Sequence, residues 1–310
     1  MKNKYNLAFW GAGHMAAAII DTVDKTNRFY KYAVASRKKE NAISFANHNV
    51  IEKVLTYDEL LLDNKIDLVY ISTPTKLHYE HIKRCILAHK NVICEKPLVE
   101  NEEEAKEIIE LAKLNNVLLI DGLWTMYMPI VDQLKKSVLE LGVLKYASAS
   151  LGWPSLKKSE DGTLKSSYDL WDYEIYPLTV MNSLFGSPIK IDSKSKEICK
   201  MKIENISILE YDGFKSRIFS SLKRKGTYCL FVIGTKGALI CRKYWFGKYP
   251  IFIWKYPFKF KKINMHHKFT GYEYELYEAA RCLDNGTMQS DLYSHEKTIE
   301  LMRCKDQLLI

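Results

Sequence analysis

Tyr5-Asn6-Leu7-Ala8-Phe9-Trp10 runs directly into Gly11-Ala12-Gly13-His14-Met15-Ala16, and Ala17 to Val23 continue without a proline or glycine. The first six residues read as a buried strand and the continuation as a helix, so both glycines fall in the tight turn between them. Gly11 permits that turn, Gly13 lets the backbone approach a pyrophosphate, and Ala16 allows the helix to pack close to the strand. The start of the helix, with His14 and Met15, offers N–H groups and the positive end of its dipole to phosphates. This G-x-G-x-x-A turn, opening a first βαβ unit, is a dinucleotide fingerprint. It commits the first part of the chain to a doubly wound parallel sheet.

The next strand, Lys31-Tyr32-Ala33-Val34-Ala35, ends in Ser36-Arg37-Lys38-Lys39. An NAD-preferring site carries Asp or Glu there to accept from the ribose hydroxyls. A serine followed by three cations suits a 2′-phosphate instead, with Arg37 as its planar, bidentate partner. The plainer alternative is a solvated basic helix start, which the helix dipole disfavours. NADP is therefore expected over NAD.

Asp67 to Ser72 form a further strand, followed by Thr73-Pro74-Thr75-Lys76-Leu77-His78 and a helix from His78 to Ala88. Asn91-Val92-Ile93-Cys94 then read as a strand covered on both faces, closed by Glu95-Lys96-Pro97 because proline cannot donate to the ladder. A helix from Glu102 to Leu114 and a strand at Val117–Ile120 continue the alternation. Ligands bind outside the carboxyl ends of such strands. Thr73, Pro74, His78, Glu95 and Lys96 all fall at such ends. A lysine there faces a cleft, whereas His78 reads either as a helix-start residue or as lining for a nicotinamide pocket.

G-x-G-x-x-A, T-P-T-x-x-H and E-K-P together resemble the glucose–fructose oxidoreductase, inositol dehydrogenase and rhizopine-catabolism (Gfo/Idh/MocA) family. Asp121-Gly122-Leu123-Trp124-Thr125-Met126-Tyr127-Met128-Pro129 is similar to the W-x-R-F segment of its dimeric dihydrodiol dehydrogenase branch. Gly271-Tyr272-Glu273 with Glu275, then Gly286, is similar to that branch's C-terminal part. The resemblance implies that Lys96 approaches both the nicotinamide and the reacting hydroxyl. It implies that Asp172-Tyr173-Glu174-Ile175-Tyr176 stands for the D-x-G-x-H/Y motif. Tyr176 would then move the hydroxyl proton and Asp172 would anchor the substrate. Asp172 and Tyr176, four apart, share a helix face, and Lys96 would lower the phenol's pKa by its charge. Three departures stand out. Glu174 replaces the motif's glycine, where a carboxylate would block or reshape a pocket. Ser166-Ser167-Tyr168-Asp169-Leu170-Trp171 stands where a glycine-rich run precedes the helix, and Met126 replaces an arginine.

Beyond Val143 the pattern changes to strands separated by glycines and charged turns: Leu144–Ser150, Ile189–Ile198, Ile203–Tyr211, Ser216–Leu222, Tyr228–Ile233 and Ala238–Cys241. With few helices between them, this sheet is mainly antiparallel and covered on one face by a helix over Trp171–Phe185. The resemblance implies a homodimer or homotetramer through its other face. Trp124 and Trp153 are candidates for shaping the substrate pocket, against the commoner reading of each as core. Trp254, Tyr256, Phe258 and Phe260 alternate with Lys255, Pro257, Lys259 and Lys261. This predicts an edge strand with one aromatic and one basic face, protected by its lysines and proline. Over residues 244–262 the lesser readings are a docking strip for a phosphorylated or nucleotide-bearing substrate, contact with an anionic membrane surface, or single-stranded nucleic acid.

The expected fold is α/β: an N-terminal Rossmann domain over residues 1–122, then an α+β domain over 123–310 with a large, mainly antiparallel open sheet. The final helix is a candidate to pack back on the first domain. A net charge of +9 spread over 310 residues does not indicate nucleic acid. Seven cysteines without C-x-x-C spacing point to neither a disulfide framework nor a metal site, and fit a reducing cytoplasm. Lys2 and Lys4 before an apolar run imitate a signal peptide, but the fingerprint accounts for that run. The function expected is NADP-dependent interconversion of a secondary alcohol and ketone on a sugar, a sugar derivative such as a nucleotide sugar, or a cyclic diol. The alternative is a protein of the same fold that holds NADP(H) without turnover. Dissociation constants for NADPH and NADH test the cofactor: the account expects tighter NADPH binding, and a clear NADH preference contradicts it.

Overall fold

The computed structural model describes residues 4–159 and 164–308. Its chain divides into two units: the residues as far as Tyr127 together with Lys268–Arg303, and Met128–His267 together with the segment from Cys304 onward.

The first unit is built on β1 (Tyr5–Trp10), α1 (His14–Thr26), β2 (Phe29–Ala35), α2 (Lys39–Asn49), β3 (Lys53–Leu55), α3 (Tyr57–Leu62), β4 (Leu68–Ile71), α4 (His78–Leu87), β5 (Asn91–Glu95), α5 (Glu102–Leu114) and β6 (Leu119–Gly122). Its six strands lie in the order β3-β2-β1-β4-β5-β6, all parallel. The order reverses between β1 and β4, which makes their carboxyl ends a topological switch point. All of β4 and all but the first residue of β5 are buried. Helices on both faces of the sheet explain why these strands are continuous apolar runs. α3 starts in a capping box, with Thr56 and Glu59 satisfying one another's backbone N–H groups. α5 starts behind Asn101, whose side chain accepts from the Glu104 N–H, and carries three glutamates in its first turn.

The second unit contains α6 (Pro129–Leu139), β7 (Leu144–Gly152), a small hairpin of β8 (Leu156–Lys158) and β9 (Leu164–Ser166), and α7 (Trp171–Phe185). It continues with β10 (Lys190–Ile198), β11 (Met201–Tyr211), β12 (Phe214–Ser221), β13 (Cys229–Gly234), β14 (Gly237–Arg242), β15 (Ile251–Lys255) and β16 (Lys259–Ile263). Eight strands form one sheet, β10-β11-β12-β7-β13-β14-β15-β16. Only the β7–β12 pair is parallel. Along β11, Ile203, Asn205, Ser207, Leu209 and Tyr211 are buried, while the residues between them are half-buried. α7 covers the buried face, with Phe185 edge-on to Tyr211 at 5.8 Å. The other face carries the cross-strand pairs Ile206–Phe219, Phe231–Ile240 and Ile240–Phe252.

The single edge strand expected across Trp254–Phe260 is replaced by a hairpin. Trp254 ends up opposite Phe260 and Lys255 opposite Lys259. The chain turns through Tyr256-Pro257-Phe258, where proline offers no ladder donor and Phe258 takes a φ of 128°. Period-2 alternation is common to both arrangements, so the pattern alone could not separate them.

The chain closes with α8 (Glu273–Asn285) and α9 (His295–Leu308). Within the first unit, Asp284 of α8 accepts from Tyr5 at 2.8 Å and pairs with Arg28 at 2.7 Å. His295 Nε2 lies 2.9 Å from the Leu119 carbonyl, and the Thr298 hydroxyl donates to Asp121 at 3.0 Å. No helix of the described residues is long and apolar enough to cross a membrane.

Candidate active site

At the switch point the two glycines of the first turn do different things. Gly11 has a φ of +115°, and a Cβ on it would meet the Ser72 hydroxyl at 3.1 Å and the Ser72 carbonyl at 3.3 Å. The protein itself requires glycine there. A Cβ on Gly13 would meet nothing closer than the Ser72 carbonyl at 4.0 Å. The space over Gly13 is therefore open to an incoming group. α1 begins there with no side-chain cap and no acidic residue in its first turn, so its leading N–H groups lack intrahelical acceptors. The buried Ser72 hydroxyl has no hydrogen-bond partner among the described residues. An uncapped helix start, an open approach and an unpartnered hydroxyl fit the pyrophosphate of a dinucleotide. His14 is exposed and Met15 half-buried at that start.

The end of β2 holds Ser36 half-buried and Arg37 and Lys38 exposed. A side chain that the sequence did not single out organises this corner. Tyr57, first in α3, stacks on the buried Trp10 with ring centroids 4.2 Å apart and planes 7° apart. Burial raises its phenol pKa, while a backbone hydrogen bond from Arg37 and the charges of Arg37 and Arg84 pull it down. The Arg84 guanidinium lies 5.2 Å from the Trp10 ring and also pairs with Asp58 at 2.6 Å. His81 tilts against both rings. Burial, then Arg84 and His78, lower its pKa to about 4. These contacts fix the backbone that carries Arg37 while leaving its side chain exposed.

Glu95, at the end of β5, is buried and accepts a hydrogen bond from the Tyr70 hydroxyl of β4. Asp121 of β6 and Glu275 of α8 are buried in the same region. Glu95 Oε2, Asp121 Oδ1 and both Glu275 oxygens have no hydrogen-bond partner among the described residues. Burial raises the Asp121 pKa to about 7; the Thr298 hydrogen bond and Lys96 lower it, and the Glu95 charge raises it. Burial, then the charges of Glu95 and Asp121, hold Glu275 well above the ordinary carboxylate range. Burial raises Glu95 too, against the Tyr70 hydrogen bond, the Lys96 charge and the Lys96 backbone N–H. Lys96 is half-buried beside these carboxyls.

Thr73 is half-buried and Pro74 exposed. His78 is buried at the start of α4. It is 1% exposed, with Nδ1 2.9 Å from the Pro97 carbonyl and Nε2 2.7 Å from the Thr73 carbonyl. Both ring nitrogens face backbone acceptors, so its hydrogen bonds go to the protein. Burial lowers its pKa, the carbonyls of Pro97, Thr73 and Leu98 raise it, and the Lys96 ammonium lowers it again. Trp124 is also buried, packed on Tyr272 with centroids 4.6 Å apart.

In the second unit, Trp171, Asp172, Tyr173 and Tyr176 are the half-buried residues in the first turns of α7, whereas Glu174 and Ile175 are buried. Asp172 accepts from the Asp169 N–H at 3.0 Å. Glu174 does not block the Asp172–Tyr176 face. Its carboxylate turns to the sheet and accepts from Asn205 of β11, which also donates to Ser207 at 3.0 Å. Burial raises the Glu174 pKa to about 7, against the Asn205 hydrogen bond and the Lys202 charge. Trp153 is 52% exposed, with the Lys225 ammonium 5.0 Å from its ring and Tyr228 at 6.3 Å. Tyr228 and Tyr244 both pack on Trp245, an aromatic group that no sequence spacing reveals.

Residues 5–122 match the family model described as "Oxidoreductase family, NAD-binding Rossmann fold". The chain is 29% identical over 228 residues to scyllo-inositol 2-dehydrogenase (NADP(+)) of Bacillus subtilis, covering 69% of each protein. It is 27% identical over 281 residues to trans-1,2-dihydrobenzene-1,2-diol dehydrogenase of Xenopus laevis, covering 84% of this chain and 83% of that enzyme. In fold it is similar to a 3-ketoreductase of Actinomadura kijaniata solved with TDP-benzene and NADP, in its open conformation: TM-score 0.85 and 18% identity over 99% of this chain and 97% of that one. It is likewise similar to levoglucosan dehydrogenase solved with NADH and levoglucosan, with TM-score 0.85 and 15% identity over 99% and 96%. The phosphate turn and the E-K-P edge are those of a nicotinamide-dependent oxidoreductase. The Rossmann unit over residues 5–122 matches the model of the Gfo/Idh/MocA oxidoreductases.

The carboxyl group of Glu275 has a direct consequence for stability. Its folded pKa lies above the ordinary 4.5, so the native state keeps a proton that the unfolded chain releases, and stability falls as pH rises above that value. Glu275→Gln, neutral at every pH, should raise the melting temperature at about pH 8, equivalent to about 2 kcal/mol, with the gain shrinking towards pH 5. Thermal unfolding at both pH values checks this, and a pH-independent difference contradicts it.

Proposed function

We propose that this chain interconverts a secondary alcohol and a ketone on a sugar, sugar derivative or cyclic diol, with NADP as the cofactor. The observation that carries the reading is the first unit's sheet edge. There an open, uncapped phosphate turn, a cationic end of β2 and Lys96 of E-K-P occupy the carboxyl ends of β1, β2 and β5. The relatives named above for scyllo-inositol with NADP(+) and for a dihydrobenzene diol support the substrate class and the cofactor.

The turn at Gly11–Gly13 and the start of α1 would hold the pyrophosphate. Arg37, on a backbone braced by Tyr57, would take the 2′-phosphate as a planar fork. When bound, the nicotinamide accepts or supplies a hydride. The work left to the side chains is proton transfer and orientation. On α7, Tyr176 moves the hydroxyl proton and Asp172 holds a neighbouring hydroxyl, while Lys96 serves at the nicotinamide edge of the first unit. Glu174, engaged with Asn205, leaves the face carrying Asp172 and Tyr176 to the substrate. A homodimer or homotetramer through the half-buried apolar face of the large sheet completes the reading. Ile206, Phe219, Phe231 and Ile240 provide a surface of the kind that second copies cover.

Lys96→Ala or Tyr176→Phe should lower turnover by at least about 10²-fold while the NADPH dissociation constant stays within about threefold. Steady-state rates on inositols, free sugars, sugar nucleotides and cyclic diols, paired with fluorescence titration, check this. Undiminished turnover in either variant removes that residue from the chemistry.

A further inference from the structure

The reaction scheme leaves His78 without a part, yet its contacts are specific. The residue opens α4 and is buried, and its ring spans two main-chain carbonyls, Pro97 at 2.9 Å and Thr73 at 2.7 Å. Thr73 lies in the segment that leaves β4, and Pro97 immediately follows Lys96. A carbonyl oxygen can only accept, so each contact needs a proton on the facing nitrogen. With one proton the ring donates to one segment and fills the space against the other. A second proton completes both bonds. Lys96 and His81 are the charged or titratable neighbours that act on the ring. A neutral residue of the same shape could fill the space but could not bind the carbonyls.

We propose that His78 is a positioning residue for Lys96. Its imidazole, hydrogen-bonded to one of the two carbonyls and packed against the other, holds the segment after β4 against the Pro97 peptide and so sets the direction in which the lysine side chain leaves the sheet edge. The carbonyl it holds is one residue beyond the Lys96 Cα. Pro97, Leu98 and Val99 are buried, so the chain after Lys96 is anchored on its far side. A small rotation at the Pro97 peptide swings the long lysine stem, and displacing a reacting group by about 1 Å can cost about 10²-fold in rate. The inference rests on Lys96 being the reactive lysine, and it adds a residue whose effect passes through the backbone.

The test reads Lys96 directly and needs no substrate. The full-length protein is labelled with limiting acetic anhydride, and mass spectrometry gives the labelling of Lys96 relative to the exposed Lys259. Wild type is compared with His78→Phe, which fills the space without a donor, and His78→Gln, which restores one. Lys96 labelling should change by at least about threefold in His78→Phe and return to within about twofold in His78→Gln. If His78→Phe does not fold, His78→Asn, too short to span both carbonyls, is read in the same way. Unchanged Lys96 labelling in a folded variant that lacks the bridge overturns the proposal, as does an equal change in His78→Gln. A wild-type protein that binds NADPH without turnover would refute the catalytic reading while leaving this measurement interpretable.

Discussion

The hydrogen bond from Tyr70 to Glu95 joins the ends of β4 and β5 at the place where the chemistry is assigned. A carboxylate taken out of water is costly unless it is paired and hydrogen-bonded. Tyr70 supplies the donor from the neighbouring strand, and Lys96 supplies the nearby charge. With Glu95 held inward, the next residue of an extended chain projects the other way, which puts Lys96 at the half-buried edge. Asp121 and Glu275 enlarge the acidic surroundings of that edge from β6 and α8. One cation among three buried carboxyls leaves protons on some of them. The first unit therefore carries an electrostatic load at its functional edge, as sites that tune proton affinity commonly do.

The sheet and the phosphate turn were legible because local pattern determines them. Apolar runs of strand length alternate with helices, and the glycines of the turn sit at fixed offsets from β1. The helices over Glu102–Leu114 and Trp171–Phe185 match the observed α5 and α7 at both ends. What the sequence could not show was assembled from distant segments. Tyr57 on Trp10, Glu275 against Glu95 and Asp121, and Thr298 on Asp121 each join residues from separate elements. His78 shows the same limit at closer range. Its position at a strand's carboxyl end suggested a pocket, but only the packed carbonyls of Thr73 and Pro97 show where its nitrogens go.

The second unit shows why departures from a motif mislead when read along one dimension. Glu174 stands in a glycine's place, yet the 3.6-residue period turns it towards the sheet, where Asn205 receives it. Asp172 and Tyr176 remain together on the half-buried side. Trp124 and Trp153, grouped as pocket candidates, separate into a buried contact with Tyr272 and an exposed ring beside Lys225. The alternating aromatics and lysines near residue 256 become two short paired strands. In each case tertiary packing, not local propensity, decided the outcome.

Every role assigned above requires that this chain pass hydride between an alcohol carbon and NADP. The most direct measurement incubates it with NADP⁺ and polyols or cyclic diols deuterated at the carbinol carbon, then looks for deuterium in the NADPH formed. The account predicts transfer to the nicotinamide ring from at least one of them. Tight NADPH binding with no deuterium transfer from any of them would contradict it and mark the chain as a protein that holds the cofactor without using it.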